Sequence, residues 1–492
     1  MTGRDLSDPL LNYGTAAELS AALASRKISA LELTDHVIAR IEALDQKLNA
    51  VVGRDFQRGR DAAKAADAAL ARGERRSLLG IPMVIKESFD VAGLPTTWGV
   101  PLFKDFMPRQ DALMVARVKA AGAVILGKTN VPLLLGDWQS YNEIYGTTNN
   151  PWDLGRSPGG SSGGSSAALA AGFGPLSLGS DIGGSLRIPA HFCGIYAHKP
   201  TLNLIPIRGH GVPGMVMRPN DLAVVGPMAR SAAELELAIE ITAGPDEMRD
   251  GIAYRLALPA SRHQQLKDFR VLVIDEHPLL PTAAAIRKAL DRLTENLVKA
   301  GAKVARGSPL LPDLAHSARL FMRLLMSALS ERWPPEVYAQ AAANAAKIKD
   351  ADTSLNAERS RGIVMSHRDW AAADTARITL RQQWAELFRE WDVVLAPSSS
   401  TTAFPHDHTP MAERRIDIDG VKFNYMDQLV WPELATTPGL PATAAPIGLS
   451  GDGLPIGMQI VGPYLEDRTT IAFAALLERE FGGFVAPPGY AE

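Results

Sequence analysis

Cysteine is almost missing from this chain: a single residue, Cys193, stands among 492. An internal disulfide is therefore excluded, and so is a zinc site built from a cysteine cluster. Neither sign of charge is in excess, since 51 Lys and Arg face 54 Asp and Glu for a formal net charge of −3. That balance carries no electrostatic footprint for nucleic acid or for an anionic membrane surface. No apolar run approaches the roughly 18 residues that cross a bilayer, and the opening Met1-Thr-Gly-Arg-Asp-Leu-Ser-Asp-Pro9 has no apolar signal core. A soluble cytoplasmic protein is expected. The ten histidines, the His406 and His408 pair included, lack the spacing and acidic companions of a metal site, so neither a metal nor another cofactor is expected. Missing too are a repeat of fixed period and a linker rich enough to separate independent domains.

Apolar residues are plentiful, 46% of the chain, enough for a large buried core. Thr15-Ala-Ala-Glu18 and Ser29-Ala-Leu-Glu32 fit the pattern in which a hydroxyl and a carboxylate satisfy the free N–H groups of a helix start. The second opens an amphipathic helix with Val37, Ile41, Leu44 and Leu48 on its apolar face. Asp61 to Ala71 reads as an alanine-rich surface helix. Leu78 to Ile85 reads as a buried strand carrying Lys86 at its end, a helix near Asp111 to Ala121 follows, and Ala123 to Leu126 is the next strand. Strand, helix, strand predicts a parallel crossover. Ser231-Ala-Ala-Glu234 caps a helix to about Thr242, Phe269 to Ile274 is another strand, and Ala283 to Ala300 a long amphipathic helix. From Leu314 to Arg389 the pattern is almost wholly helical, Val393 to Ala396 returns to the core, and Pro438 to Val461 holds short closing strands. The expected fold class is α/β: one α/β/α domain over 1–492, with a central twisted mixed sheet covered by helices on both faces. Within it, 1–75 is a helical N-terminal segment, 76–310 the core with its loops, 311–390 a helical excursion and 391–480 the return to the sheet.

The densest chemistry lies between Arg156 and Pro200. Every residue from Gly159 to Ser166 is Gly or Ser, an alanine-rich run follows, and a second Gly183-Gly184-Ser185 sits between Asp181 and Arg187. A flexible linker would not lead straight into a helix-forming run or recur after it. Two glycine-rich loops flanking one short helix place hydroxyls beside a nest of backbone donors. Two shorter motifs compete for attention. Gly122-Ala-Val-Ile-Leu-Gly127-Lys128-Thr129 fits a phosphate loop, with Val271-Leu-Val-Ile-Asp275-Glu276 as an acidic strand, but its spacers belong inside a strand. Gly160-Ser-Ser162-Gly-Gly164 fits the nucleophile elbow of a Ser-His-Asp esterase of the α/β-hydrolase type, an alternative weakened by the turn-forming residues before it.

A longer set of matches runs in order along the chain: Gly80-Ile-Pro-Met-Val-Ile-Lys86-Glu87, the Gly-Lys-Thr-Asn run ending at Asn130, the Gly/Ser run, Asp181-Ile-Gly-Gly-Ser185-Leu-Arg187 and His198-Lys-Pro-Thr201. With Gly226-Pro-Met-Ala-Arg230-Ser and Leu454-Pro-Ile-Gly-Met-Gln-Ile-Val-Gly462, it resembles the amidase signature family. The resemblance implies a Ser-Ser-Lys set: Ser185 as nucleophile, Ser161 as bridging serine, and Lys86 as the base. It further implies an oxyanion hole from the backbone N–H groups of Ile182, Gly183, Gly184 and Ser185. A lysine takes a proton only when neutral, which burial at a strand end favours. Asp181 and Arg187 are expected to pair and hold the loop, Ser162 to support the set, and Cys193 to be core. Glu87 departs from the aspartate common after the family's lysine. The 137–145 loop, with Trp138, Tyr141 and Tyr145, and the 205–219 stretch, with Met215 and Met217, would line the acyl pocket.

The resemblance thus implies hydrolysis of a carboxylic amide, with esters or carbamates as further substrates, and the apolar and aromatic residues of those two stretches favour a hydrophobic or aryl amide over glutamine. The alternative within the family is the glutaminase subunit of a tRNA-dependent amidotransferase, whose polar glutamine signature is not evident between Leu320 and Arg361. A small-molecule amide and at most a second copy of the chain are the partners expected, with neither nucleic acid nor membrane.

Overall fold

In the computed structural model the described residues are 8–215 and 221–491. Eleven strands form one sheet: β1 (Val51–Arg54), β2 (Pro82–Lys86), β3 (Val124–Thr129), β4 (Leu176–Asp181), β5 (Tyr196–Lys199), β6 (Val224–Ala229), β7 (Arg270–Val273), β8 (Lys303–Ala305), β9 (Val393–Pro397), β10 (Ala442–Leu449) and β11 (Pro455–Val461). Their spatial order is β1-β3-β2-β4-β6-β5-β10-β11-β9-β7-β8. β2 runs parallel to both β3 and β4, whereas β4 to β6, β6 to β5, β5 to β10 and β10 to β11 are antiparallel. The sheet is mixed, with the predicted crossover realised between β2 and β3.

Successive residues along β9 enter different cores: Val393 and Leu395 join one apolar cluster, Val394 and Ala396 another. The two-residue period therefore splits the burial between two faces, each covered by helices. One layer holds the Ala30–Leu48, Ala232–Thr242, Ala284–Lys299 and Asp467–Phe481 helices, and the other the Leu314–Ser330 and His367–Glu390 helices of the predicted excursion. The three helix starts at Thr15, Ser29 and Ser231 carry the reciprocal hydroxyl and carboxylate caps expected of them. Several boundaries differ by a few residues, two of them most. The strand before Lys86 begins only at Pro82, because Gly80 takes φ +83 and breaks the extended run. The helix expected from Asp61 begins at Phe56 and is not purely surface, since Gly59, Ala63 and Ala66 are buried against the core. Among the described residues no helix is long and apolar enough to cross a membrane.

Candidate active site

Lys86 ends β2, beside β4, and its side chain is fully buried. Its Nζ donates to Ser161 Oγ at 2.7 Å, Ser180 Oγ at 2.9 Å and Ser162 Oγ at 3.0 Å. All three partners are neutral hydroxyls. Burial pulls the lysine from its ordinary 10.5 down to about 7, with the Asp181 carboxylate opposing. As the ammonium, Nζ can donate to all three; in the neutral form it has two N–H groups and one lone pair, so one of the three hydroxyls then donates to the nitrogen instead. The cluster is thereby arranged to pass a hydroxyl proton to Lys86. Ser180 had no place in the sequence reading; its signal is that Gly-Ser-Asp ends a strand, and only the pairing of β4 with β2 turns its hydroxyl onto the lysine.

Ser161 and Ser162 precede the Gly163–Ala170 helix, with no strand ahead of them, so the elbow geometry is not met. Ser162 stands at the helix cap position yet makes no cap bond; its Oγ faces Lys86 instead. Its N–H donates to the Ser185 carbonyl at 3.2 Å, which ties this helix start to the second glycine-rich turn. The structure thus brings Lys86, Ser161, Ser162 and Ser180 into direct contact and joins Ser185 to them through the backbone.

The turn that carries Ser185 is rigid. Asp181 receives two bonds from Arg187, Nε at 3.0 Å and Nη2 at 2.9 Å, both side chains being fully buried. Burial pushes Asp181 up, but the charge and hydrogen bonds of Arg187, with Lys199 and the Leu186 N–H, together outweigh it and leave the carboxyl below its ordinary range. Arg187 continues to the Pro432 carbonyl, Gln459 Oε1 and Thr436 Oγ1, so the turn is pinned to β11 and to the Glu433–Thr436 helix. Gly184 has φ +93, and a Cβ there would lie 2.7 Å from Pro432 Cγ. One expectation is corrected here. The Gly184 N–H donates to Asp181 Oδ1 at 2.9 Å and is not free for an oxyanion, because the carboxylate that holds the turn occupies it. The N–H groups of Ile182, Gly183 and Ser185 remain as candidates.

The expected acyl pocket divides. Met215 lines an 870 Å³ cavity whose walls include none of Lys86, Ser161, Ser185, Trp138, Tyr141 or Tyr145. The cause is the path of its segment, which runs along the start of the Leu113–Ala120 helix: Leu113 N–H donates to the Arg208 carbonyl, and Gly209 packs on Ala112. Met217 lies outside the described residues. Trp138 is buried and donates its indole N–H to the Gly183 carbonyl at 2.9 Å. Tyr141 stacks on His408 and accepts from Arg414, and Tyr145 reaches toward Glu87 at 3.5 Å. Glu87 itself accepts the N–H groups of Thr97 and Trp98, a local cap that faces away from the serines. The phosphate-loop match dissolves into β3, where Lys128 is buried against Thr96. Cys193 is buried and its thiol pushed up to about 12 by that burial.

The family model described as Amidase matches residues 32–471. The chain belongs to the amidase signature family. Enzymes so named act on carbon–nitrogen bonds, as hydrolases or as amidotransferases. This amidase-family chain is 34% identical over 495 residues to a subunit of the glutamyl-tRNA(Gln) amidotransferase of Anaeromyxobacter sp. (strain K), covering 96% of this chain and 97% of that one. It is 30% identical, with TM-score 0.79, to a chain of a vestigial protein complex that reveals the evolutionary origins of an s-triazine catabolic enzyme, covering 96% and 99% of the two. A bacterial aryl acylamidase of the same family shares the fold at TM-score 0.79 and 24% identity, over 96% of this chain and 97% of that one.

Proposed function

We propose that this amidase-family chain hydrolyses a carboxylic amide through an acyl-serine at Ser185. The observation that carries this reading is the buried Lys86, held near neutrality with hydroxyls as its hydrogen-bond partners. Ser185 Oγ attacks the carbonyl carbon and its proton passes to Ser161, whose own proton goes to Lys86 Nζ. The developing oxyanion is received by the free N–H groups of the 182–185 turn. As the C–N bond breaks, the proton returns through Ser161 to the leaving amine. Water then attacks the acyl-enzyme by the same proton route and releases the acid.

For the acyl group, an apolar neighbourhood supports a hydrophobic or aryl amide. Trp138, Tyr425, Leu429 and Trp431 form one cluster against which Ile182 packs, and a Cβ on Gly183 would lie 2.9 Å from Leu429. A second reading, glutamine hydrolysis for a partner, is favoured by the 34% identity to an amidotransferase chain and by one pair of charges. Burial pulls the Arg359 guanidinium down while Asp427 opposes, and its Nε has no hydrogen-bond partner among the described residues. Asp427 lies in the same short Tyr425–Val430 turn as Leu429. Opposite charges so placed suit the ammonium and carboxylate of an amino acid better than an aryl ring.

The test is turnover by the full chain of an aryl acetamide, a long-chain acyl amide, an aryl carbamate and glutamine. Ser185→Ala is expected to abolish turnover, and Ser162→Ala, which removes one of three hydroxyls from Lys86, to slow it by roughly 10- to 100-fold. Unchanged turnover in Ser185→Ala overturns the proposal. Turnover of glutamine alone, lost in Asp427→Asn, moves the conclusion to the second reading.

A further inference from the structure

The peptide unit joining Gly183 to Gly184 is held at both ends. Its carbonyl accepts the Trp138 indole N–H at 2.9 Å, and its N–H donates to Asp181 Oδ1 at 2.9 Å. Two bonds at opposite ends of one planar group fix its rotation, and with it the backbone torsions on either side. Those torsions set where the N–H groups of Gly183 and Ser185 point.

Trp138 is itself held from several directions. Its ring lies 5.3 Å from that of Tyr425, and the preceding Asp137 accepts the Tyr425 hydroxyl at 2.7 Å as well as the Arg414 guanidinium. The same segment is sewn to the Gly/Ser run. Ser157 Oγ donates to the Trp138 carbonyl at 2.8 Å, and Ser140 Oγ to the Gly159 carbonyl at 3.0 Å. A Cβ at Gly160 would sit 2.4 Å from the Asp137 carbonyl oxygen, so only glycine fits immediately before Ser161. Residues 137–140 therefore touch both the backbone leading to Ser161 and the turn leading to Ser185.

We infer that Trp138 is a positioning residue: its indole N–H on the Gly183 carbonyl orients the oxyanion-binding N–H groups of the Ser185 turn and sets that turn against Ser161. The inference rests on Ser185 as nucleophile. It is separable from a pocket-wall role, because orientation of the oxyanion donors acts on the transition state, whereas a wall acts on ground-state binding.

The experiment compares wild type with Trp138→Phe, which keeps an aromatic ring and removes the N–H. Three quantities are read: kcat and KM on the preferred amide, affinity for an aryl trifluoromethyl ketone, and affinity for the corresponding carbinol. The ketone adds to a serine hydroxyl and leaves an oxyanion; the carbinol cannot. Expected are a kcat lower by roughly 10- to 100-fold, a KM within about twofold, ketone affinity reduced by the same factor as kcat, and carbinol affinity unchanged. Equal kcat and equal ketone affinity in the variant overturn the inference. So does a loss confined to KM and carbinol binding. Should Trp138→Phe fail to fold, 3-(3-benzothienyl)alanine at position 138, with sulfur in place of the N–H and the same outline, makes the same comparison. Full turnover in Ser185→Ala removes the nucleophile and this inference with it, a result independent of any Trp138 variant.

Discussion

Lys86 shows how one residue acquires a chemistry its type does not have. In water its amine stays protonated at neutral pH; fully buried among hydroxyls, it titrates at about 7. The base form is the deprotonated one, so its population grows as pH rises. On the preferred amide, kcat/KM is expected to climb about tenfold per pH unit below about pH 7 and to level above it. A profile that falls through the same region would assign the reactive state to the ammonium and overturn the base role. That a lysine ends the strand Pro-Met-Val-Ile-Lys is legible in sequence, because burial of such a strand is a local pattern. That Ser180 shares the lysine is not, because the contact joins residues 94 apart across neighbouring strands.

At the scale of the element, the Asp181–Arg187 turn is the part least able to change. Its pair is closed to solvent, and the remaining guanidinium donors reach three other places in the chain. Removing one member of a buried ion pair costs about 3 to 5 kcal/mol, because the other charge is left without compensation. Arg187→Met is expected to lower the unfolding free energy by that amount, read from the shift in urea midpoint. A loss below about 1 kcal/mol would mean that Asp181 protonates or finds water instead. The spacing of acid and arginine around Gly-Gly-Ser announces the pair in the sequence. The consequence that Asp181 also consumes the Gly184 N–H depends on the path of the turn, which residue types alone do not specify.

Across the whole molecule, the chain buries several lysines far from their ordinary state. Lys86 and Lys199 titrate at about 7 and Lys128 at about 8, all lowered by burial from 10.5. Between about pH 8 and 9 the unfolded chain holds these protons and the folded chain has largely lost them, so stability rises with pH. Glu433 has the opposite sign: burial pushes it from 4.5 up to about 8, so its contribution to stability falls as pH rises from about 4.5 through about 8, and the half still protonated at pH 8 opposes the three lysines until about pH 9. The expected result is a thermal midpoint that climbs from about pH 8 to pH 9, less steeply in Lys199→Met, followed by calorimetry. Equal slopes in the two proteins would show that Lys199 is not neutral in the fold.

The local features are legible in the residues alone: three helix caps, the parallel crossover, the strand ending in Lys86, and the two glycine-rich turns. Each depends on residues within one or two turns of chain, where propensity, capping and periodicity operate. Tertiary contacts alone settle which hydroxyls meet Lys86, which N–H groups of the 182–185 turn stay free, and that Met215 lines a cavity whose walls do not include Trp138. These are contacts between segments tens to hundreds of residues apart, such as Trp138 with Gly183 or Arg187 with Gln459. They are set by how the sheet orders its strands and how far each loop can reach, which no short window of sequence encodes.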